Sequence, residues 1–381
     1  MDFGWNELEA ELHQRTLAFS RGPLASALAD SGKNSAALIR GWRLLGDHGL
    51  FATPIPEALG GLGLGAMATA RAFEALGQGA GDTGFAFSAA AHLFACVMPM
   101  VEHGSPALCD ALIPPLIDGR AIGANAITEA AAGSDVFALK TRAIVDGDSY
   151  VVTGEKSFVT NAPIADLFLV YASTDPSAGY MGITAFAIDR DCPGLTIGKP
   201  FSKMGLETSP IATVYLEGCR VPRRRVVGEP GTGARVFTRS MLWERSCLFA
   251  AYLGAMEHQL EATIAHAKAR VQFRKPIARH QAIAHRIADM KVRLEAARLL
   301  LYRACWLRDR GDDASLEVSM AKLAVSEAAI QSGLDAIHIH GGSGFIVDTG
   351  IECALRDAIP ATIFSGTSEI QRDIIARELG L

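Results

Sequence analysis

The stretch TRAIVDGDSYVVTGEKSFVTN, Thr141 to Asn161, decides the fold. Val, Ile, Thr, Tyr and Phe alternate with polar residues on both sides of Asp146-Gly147-Asp148, a pattern that predicts a β-hairpin. Upstream, to about residue 122, the texture is helical. Ala, Leu and Glu dominate, with turns expected at GGLGLG (Gly60 to Gly65) and HGSPA (His103 to Ala107). Downstream, ADLFLVYAS and ITAFAIDR continue as strands, and TVYLEGCRVP closes the β region at Pro222. A Gly/Pro-rich link, VGEPGTGA from Val227, then leads into helical patterns at Arg235 to about Arg270, His280 to Gly311 and Ser315 to Gly342. Gly311 and Gly341 are the expected helix stops. The expected organisation is α+β: a helical domain over 1–122, a β domain over 123–232 and a helical bundle over 233–381.

Composition narrows the function classes. A chain of 381 residues, 49% hydrophobic, can bury a large core. Its formal net charge of −5 leaves no basic footprint, so nucleic acid is not an expected partner. MDFGWNELEAELHQ has no basic segment followed by an apolar one, so no leader is expected and the cytoplasm is the expected location. The longest apolar run, GFAFSAAAHLFACVMPMV from Gly84, nears the length of a membrane span. Ser88, His92 and Pro99 interrupt it, so a buried helix is expected rather than a membrane segment. Seven cysteines without a C-x-x-C pair argue against a disulfide framework and against a zinc site.

Five motifs carry the chemistry: AITEAAAGSD (Ala126 to Asp135), GEKSFVTN (Gly154 to Asn161), RVQFRKPIARHQ (Arg270 to Gln281), HGGSGF (His340 to Phe345) and ATIFSGTSEIQRDIIARELGL (Ala361 to Leu381). In this order and spacing they resemble the flavin-dependent acyl-CoA dehydrogenase family over nearly the whole chain. The resemblance implies an N-terminal helical domain, a central β-barrel-like domain and a C-terminal four-helix bundle, assembled as a homotetramer with one FAD per subunit. It implies that Asn125, Ile127 and Thr128 lie along the isoalloxazine ring, largely through backbone groups. Phe158 and Thr160 face that ring where relatives often carry Trp. Arg270 and Phe273 match positions that hold the ADP moiety, and Gln281, Gly341 and Gly342 match positions that hold it across a subunit interface. Thr367 and Glu369 match positions near the diphosphate and adenosine. Two residues depart from the pattern: Arg274 replaces a usual glycine, and His338 stands where glutamine is common.

The family's base is often a glutamate just before the Gly-Thr of the last motif. Here that residue is Ser365, and a hydroxyl without a partnered base is too weak to take an α-proton at neutral pH. In RSMLWERSCLFAAYLGAMEHQLE, Arg239 to Glu261, helical spacing puts Glu244 on one face with Met241, Leu248, Ala251, Tyr252 and Ala255. A glutamate on an apolar stripe must pair, protonate or work, and burial would strengthen it as a base. A structural salt bridge is the other reading of the residue alone. The isovaleryl-type branch of the family carries its base on this helix, in a Glu-Arg pair that Trp243-Glu244-Arg245-Ser246 matches.

By the same resemblance Arg245 and Ser134 lie near the pantetheine of the substrate. CoA-using members commonly place an aspartate three residues before that arginine; here it is Leu242. Glu207 stands where arginine is frequent. NAPIADLFLVYA (from Asn161), SMLWERSCL (from Ser240), LYRACW (from Leu301), SGLDAI (from Ser332) and IFSGT (from Ile363) resemble one subgroup, the prolyl-carrier-protein dehydrogenases. These oxidise a prolyl thioester, held on a peptidyl carrier protein's phosphopantetheine arm, to a pyrrole-2-carboxyl group. An acidic carrier would suit the Arg223-Arg224-Arg225 run, which reads equally as a solvated charge run. The electron acceptor would be a protein or oxygen. An isovaleryl-type acyl-CoA dehydrogenase, a flavin oxidase or monooxygenase, and a catalytically silent flavoprotein are the other readings. Phe85, Phe87 and His92 are candidate pocket residues.

Overall fold

The computed structural model describes residues 5–29 and 35–381. Met1 to Gly4, on which part of the leader reading rests, lie outside the described residues. Helices fill the chain from Glu7 to Ile117, strands occupy Gly123 to Val227, and helices return at Gly233. This is the α+β order expected from the hairpin and its flanks.

The first helix, Glu7–Phe19, opens on a capping box: Asn6 accepts from the Glu9 N–H and the Glu9 carboxylate accepts from the Asn6 N–H. Thr83–His103 is long and apolar enough to cross a membrane, but 94% of that window is buried inside the protein. Its polar residues are consumed internally. Ser88 donates to Asn161, and His92 accepts the Gly123 N–H at 2.8 Å while its other ring nitrogen meets the Leu116 carbonyl.

The β domain is one eight-stranded sheet. Its strands are β1 Gly123–Ala126, β2 Arg142–Asp146, β3 Ser149–Thr160, β4 Leu167–Ser173, β5 Ile183–Asp189, β6 Leu195–Ile197, β7 Ile211–Pro222 and β8 Val226–Val227. The path runs β6-β7-β3-β2-β4-β5-β8, with β1 parallel to β4. The predicted turn is present, with Gly147 at φ 59° in the left-handed region that a tight hairpin needs.

Strand β4 is buried along its whole length because each face serves a different core. Leu167, Leu169 and Tyr171 pack with the helices, while Phe168, Val170 and Ala172 fill the β domain. The period of two carries over to β1: Ala124 and Ala126 enter the β core, and Ile127 joins the helical one. Gly123 and Asn125 therefore face the helices.

The C-terminal region contains Gly233–Trp243, Phe249–Ala269, Gln281–Asp309, Ser315–His340 and Ser368–Glu378. Helix Phe249–Ala269 lies hard against Ala66–Ala80 at two glycines. A Cβ on Gly77 would sit 2.0 Å from the Ala251 carbonyl oxygen, and one on Gly254 would sit 1.9 Å from that of Glu74.

Three departures from the sequence reading have physical causes. The β region runs past Pro222 to β8, which pairs with β5. β1, β6 and β8 are too short to show alternation. The helix expected from Arg235 to about Arg270 is interrupted at Glu244–Leu248 by a π-helical turn. That extra residue shifts the stripe expected to run from Glu244 through Ala255, and residues 246–254 are buried all round.

Candidate active site

A small cavity, about 90 Å³, lies where the β domain meets both helical regions. Phe87, Ala91 and Ala95 line it from the Thr83–His103 helix, at four-residue spacing along one face. Asn125 comes from β1, Phe158 and Thr160 from the end of β3, and Glu244 and Leu248 from the π turn. Phe364 and Ser365 close it from the C-terminal segment. Of the three pocket candidates in the apolar run, only Phe87 lines the cavity. Phe85 packs edge-on against Trp42 in the core, and His92 is spent clamping Gly123.

Glu244 is 8% exposed. Its Oε2 accepts a 2.8 Å hydrogen bond from the Ser365 hydroxyl, and its Oε1 is buried without a protein partner. Burial pushes the carboxyl up to about 7, against the opposing pull of the Ser365 hydroxyl and the Arg245 guanidinium. The π turn that carries Glu244 is a helix irregularity often found at functional sites. Among the described residues no ion pair holds the carboxylate: Arg245 turns its Nε to the Ser365 carbonyl oxygen at 2.9 Å instead. Burial lowers Arg245 to about 10, opposed by the charge of Glu244. Gln371 Nε2 donates to the same carbonyl at 3.3 Å, and Ser365 itself sits at φ 54°.

The segment Asn125–Thr128 is fixed from below. Lys156, fully buried, donates to the Ile127 carbonyl at 3.1 Å and to Glu129 at 2.7 Å. Glu129 also accepts from Thr141 and the Lys140 N–H, and Ser157 N–H donates to the Thr128 carbonyl. The strings Ile127-Thr128-Glu129 and Gly154-Glu155-Lys156-Ser157 are thus joined in one buried network. Burial lowers Lys156 to about 8 against the pull of Glu129. Burial alone would raise Glu129, but Lys156 and its hydrogen bonds outweigh it and the carboxyl falls.

An isoalloxazine ring needs a flat apolar wall and backbone groups along one edge. Phe158 would supply the wall: it is 60% exposed at the cavity rim, at φ 55°, with the Phe201 ring 5.5 Å away. The pinned Asn125–Thr128 backbone would supply the edge. Thr367 caps Ser368–Glu378 through its hydroxyl, so the first turn of an 11-residue helix lies next to Ser365, a setting suited to a diphosphate. These residues fit FAD. Exposed Glu369 belongs to the same turn.

Other expected residues lie apart from the cavity. Arg270, Phe273 and Gln281 are exposed, Phe273 by 88%. Cβ atoms on Gly341 and Gly342 would meet nothing within 4 Å. Phe273 and Arg274 form the two-residue turn of a small hairpin, β9 Val271–Gln272 and β10 Lys275–Pro276, both at positive φ (50° and 66°). That geometry explains why glycine is usual where Arg274 stands. Ser134 is exposed in its turn and does not reach the cavity. In the arginine run, Arg225 is paired with Asp189 at 2.6 Å and Arg223 lies over Tyr150. A larger cavity, about 670 Å³, opens beside the first helix, but none of the expected site residues lines it. Its walls hold the Arg298 ion-pair network with Glu74, Glu257 and Glu295.

Models of the acyl-CoA dehydrogenase N-terminal, middle and C-terminal domains match residues 9–120, 124–219 and 231–380. The chain belongs to the acyl-CoA dehydrogenase family. It is with that family an FAD-dependent oxidoreductase. Among curated acyl-CoA dehydrogenase relatives, it is 48% identical over 384 residues to an L-prolyl-[peptidyl-carrier protein] dehydrogenase of Pseudomonas fluorescens, covering 100% of both chains. It is 40% identical to one of Serratia, covering 100% of this chain and 99% of the relative. Solved structures of similar shape include one described as PigA with FAD and proline (TM-score 0.95, 39% identity, 100% of each chain). Another is described as the prolyl acyl carrier protein oxidase AnaB (TM-score 0.95, 41% identity, 99% of this chain and 100% of that one).

Proposed function

We propose that this acyl-CoA dehydrogenase oxidises a prolyl thioester, carried on a peptidyl carrier protein, to a pyrroline and then a pyrrole-2-carboxyl thioester. The observation that carries the chemistry is Glu244: a buried carboxylate with one free oxygen on the cavity and no ion-pair partner. That oxygen takes the proton α to the thioester carbonyl, which the thioester acidifies. FAD, when bound, supplies the acceptor for the hydride that leaves the β carbon. Phe87, Leu248 and Phe364 give the space beside the base apolar walls, and Glu244 itself is buried.

The acyl group is argued from size and kinship. The cavity beside Glu244, about 90 Å³ and open on one side, is small, as a compact acyl group needs. Full-length likeness to two prolyl-carrier dehydrogenases supports the carrier over free CoA, as does Leu242 where CoA-using relatives carry aspartate. Removal of a second hydride and proton makes the ring aromatic, which requires reoxidation by an acceptor protein or oxygen between turns. A cytoplasmic homotetramer, with exposed Arg270, Phe273, Gln281, Gly341 and Gly342 meeting cofactor at a subunit boundary, belongs to the same proposal.

Anaerobic mixing of the holoenzyme with prolyl-loaded carrier protein and, separately, isovaleryl-CoA tests this. Flavin bleaching by the prolyl carrier supports it. Bleaching by isovaleryl-CoA alone would make the protein a short branched-chain acyl-CoA dehydrogenase.

A further inference from the structure

Asn125 was expected to serve the flavin through its backbone, and its side chain is left to be explained. The alternation of β1 turns it away from the β core, where Ala124 and Ala126 go, and into the cavity beside Glu244. There its Oδ1 is buried with no hydrogen-bond partner. Glu244 Oε1 is in the same condition. The other amide on the cavity wall, Asn161, is fully engaged: it accepts from Ser88 and donates to the Ser88 and Gly123 carbonyls. Ser365 gives its hydroxyl proton to Glu244. Apart from the Thr160 hydroxyl, the remaining side chains on the wall, Phe87, Ala91, Ala95, Phe158, Leu248 and Phe364, are apolar.

A small apolar cavity with two unpaired acceptors is a poor site for a hydrocarbon acyl group, which would bury both oxygens without a donor. It is a good site for a ring that carries N–H donors one bond from the carbon being deprotonated. Resting on the prolyl-thioester reading above, we infer that Asn125 Oδ1 recognises the ring nitrogen of the substrate, and is what makes the enzyme selective for a cyclic amino-acyl group over a carbocycle. The bond has a second consequence. An N–H held by Asn125 is kept off Glu244, so the carboxylate addresses the α C–H instead of pairing with the amine.

The test compares two carrier thioesters that differ only in the ring nitrogen, prolyl and cyclopentanecarbonyl, with wild type, Asn125→Leu and Asn125→Ala. Flavin reduction gives kcat/KM for each. The same thioesters are titrated into a Glu244→Gln background, where perturbation of the oxidised flavin spectrum reports binding without turnover. Loss of one hydrogen bond to a charged donor predicts that the prolyl-to-cyclopentanecarbonyl preference falls at least about tenfold in both readouts. An unchanged preference, with both substrates slowed equally, would overturn the inference and leave the prolyl reading intact. So would loss of FAD from both variants, which would assign the side chain to the cofactor. Wild type reduced by the carbocycle but not by the prolyl thioester would instead remove the prolyl reading and this inference with it.

Discussion

Ser365 and Glu244 stand 121 residues apart in the chain and 2.8 Å apart in the fold, the serine hydroxyl donating to the glutamate Oε2. The position that in many relatives supplies the base here gives a hydrogen bond to the carboxylate proposed as the base. Arg245 and Gln371 grip the Ser365 carbonyl, so the hydroxyl is presented by a fixed backbone. The bond favours the ionised carboxylate, and burial opposes it more strongly.

The pH dependence follows. With Glu244 at about 7, kcat/KM for flavin reduction rises with pH through about 7 as the free enzyme's base loses its proton. Ser365→Ala removes a group that lowers that value, so the rising limb moves to higher pH. A limb that stays in place in the variant would detach Ser365 from the base.

The same shift has a stability signature of defined sign. The native state holds the Glu244 proton more tightly than the unfolded chain, so stability attached to this group is full below about 4.5 and is lost as pH rises through about 7. Glu244→Gln should therefore match wild type near pH 4.5 and exceed it at pH 8, by roughly 3 kcal/mol at most, from about 1.4 kcal/mol per pKa unit. Denaturant melts at the two pH values measure it, and equal gains at both would contradict the assignment.

Lys156 supports the Asn125–Thr128 segment proposed to meet the flavin. Lys156→Met leaves Glu129 buried without its charge partner, which typically costs about 3–5 kcal/mol. It also frees the Ile127 carbonyl. Thermal unfolding should fall and FAD should dissociate more readily. Full retention of both would make the network dispensable.

Arg274 occupies the left-handed region at φ 66°, a conformation that costs a non-glycine residue about 1–2 kcal/mol. Arg274→Gly should stabilise the FAD-free protein by about 1 kcal/mol in a denaturant melt. A destabilised variant would mean that the arginine side chain contributes more than its backbone strain removes.

The architecture was legible because the hairpin around Gly147 changes the period of the chain so sharply, with helical texture on both sides. Glu244 was legible for a related reason: a carboxylate on an apolar stripe is conspicuous, and Ser365 left the usual place without one. What could not be read was long-range. Nothing local to Ser365 points to Glu244, and the π turn that carries the glutamate has no sequence signature. Strands β1 and β8 take their order from β4 and β5, not from their own few residues. The unpaired oxygen of Asn125 emerges only when β1 is registered on β4, which fixes the face its side chain takes.

The most direct test of the central claim is single-turnover flavin reduction by prolyl-loaded carrier protein under anaerobic conditions, comparing wild type with Glu244→Gln. Both proteins should be yellow with one FAD per chain. Wild type should bleach, and the variant should bind the carrier yet bleach at least about a hundredfold more slowly, as expected when a positioned base is lost. Bleaching of the variant at near the wild-type rate would contradict the role given to Glu244.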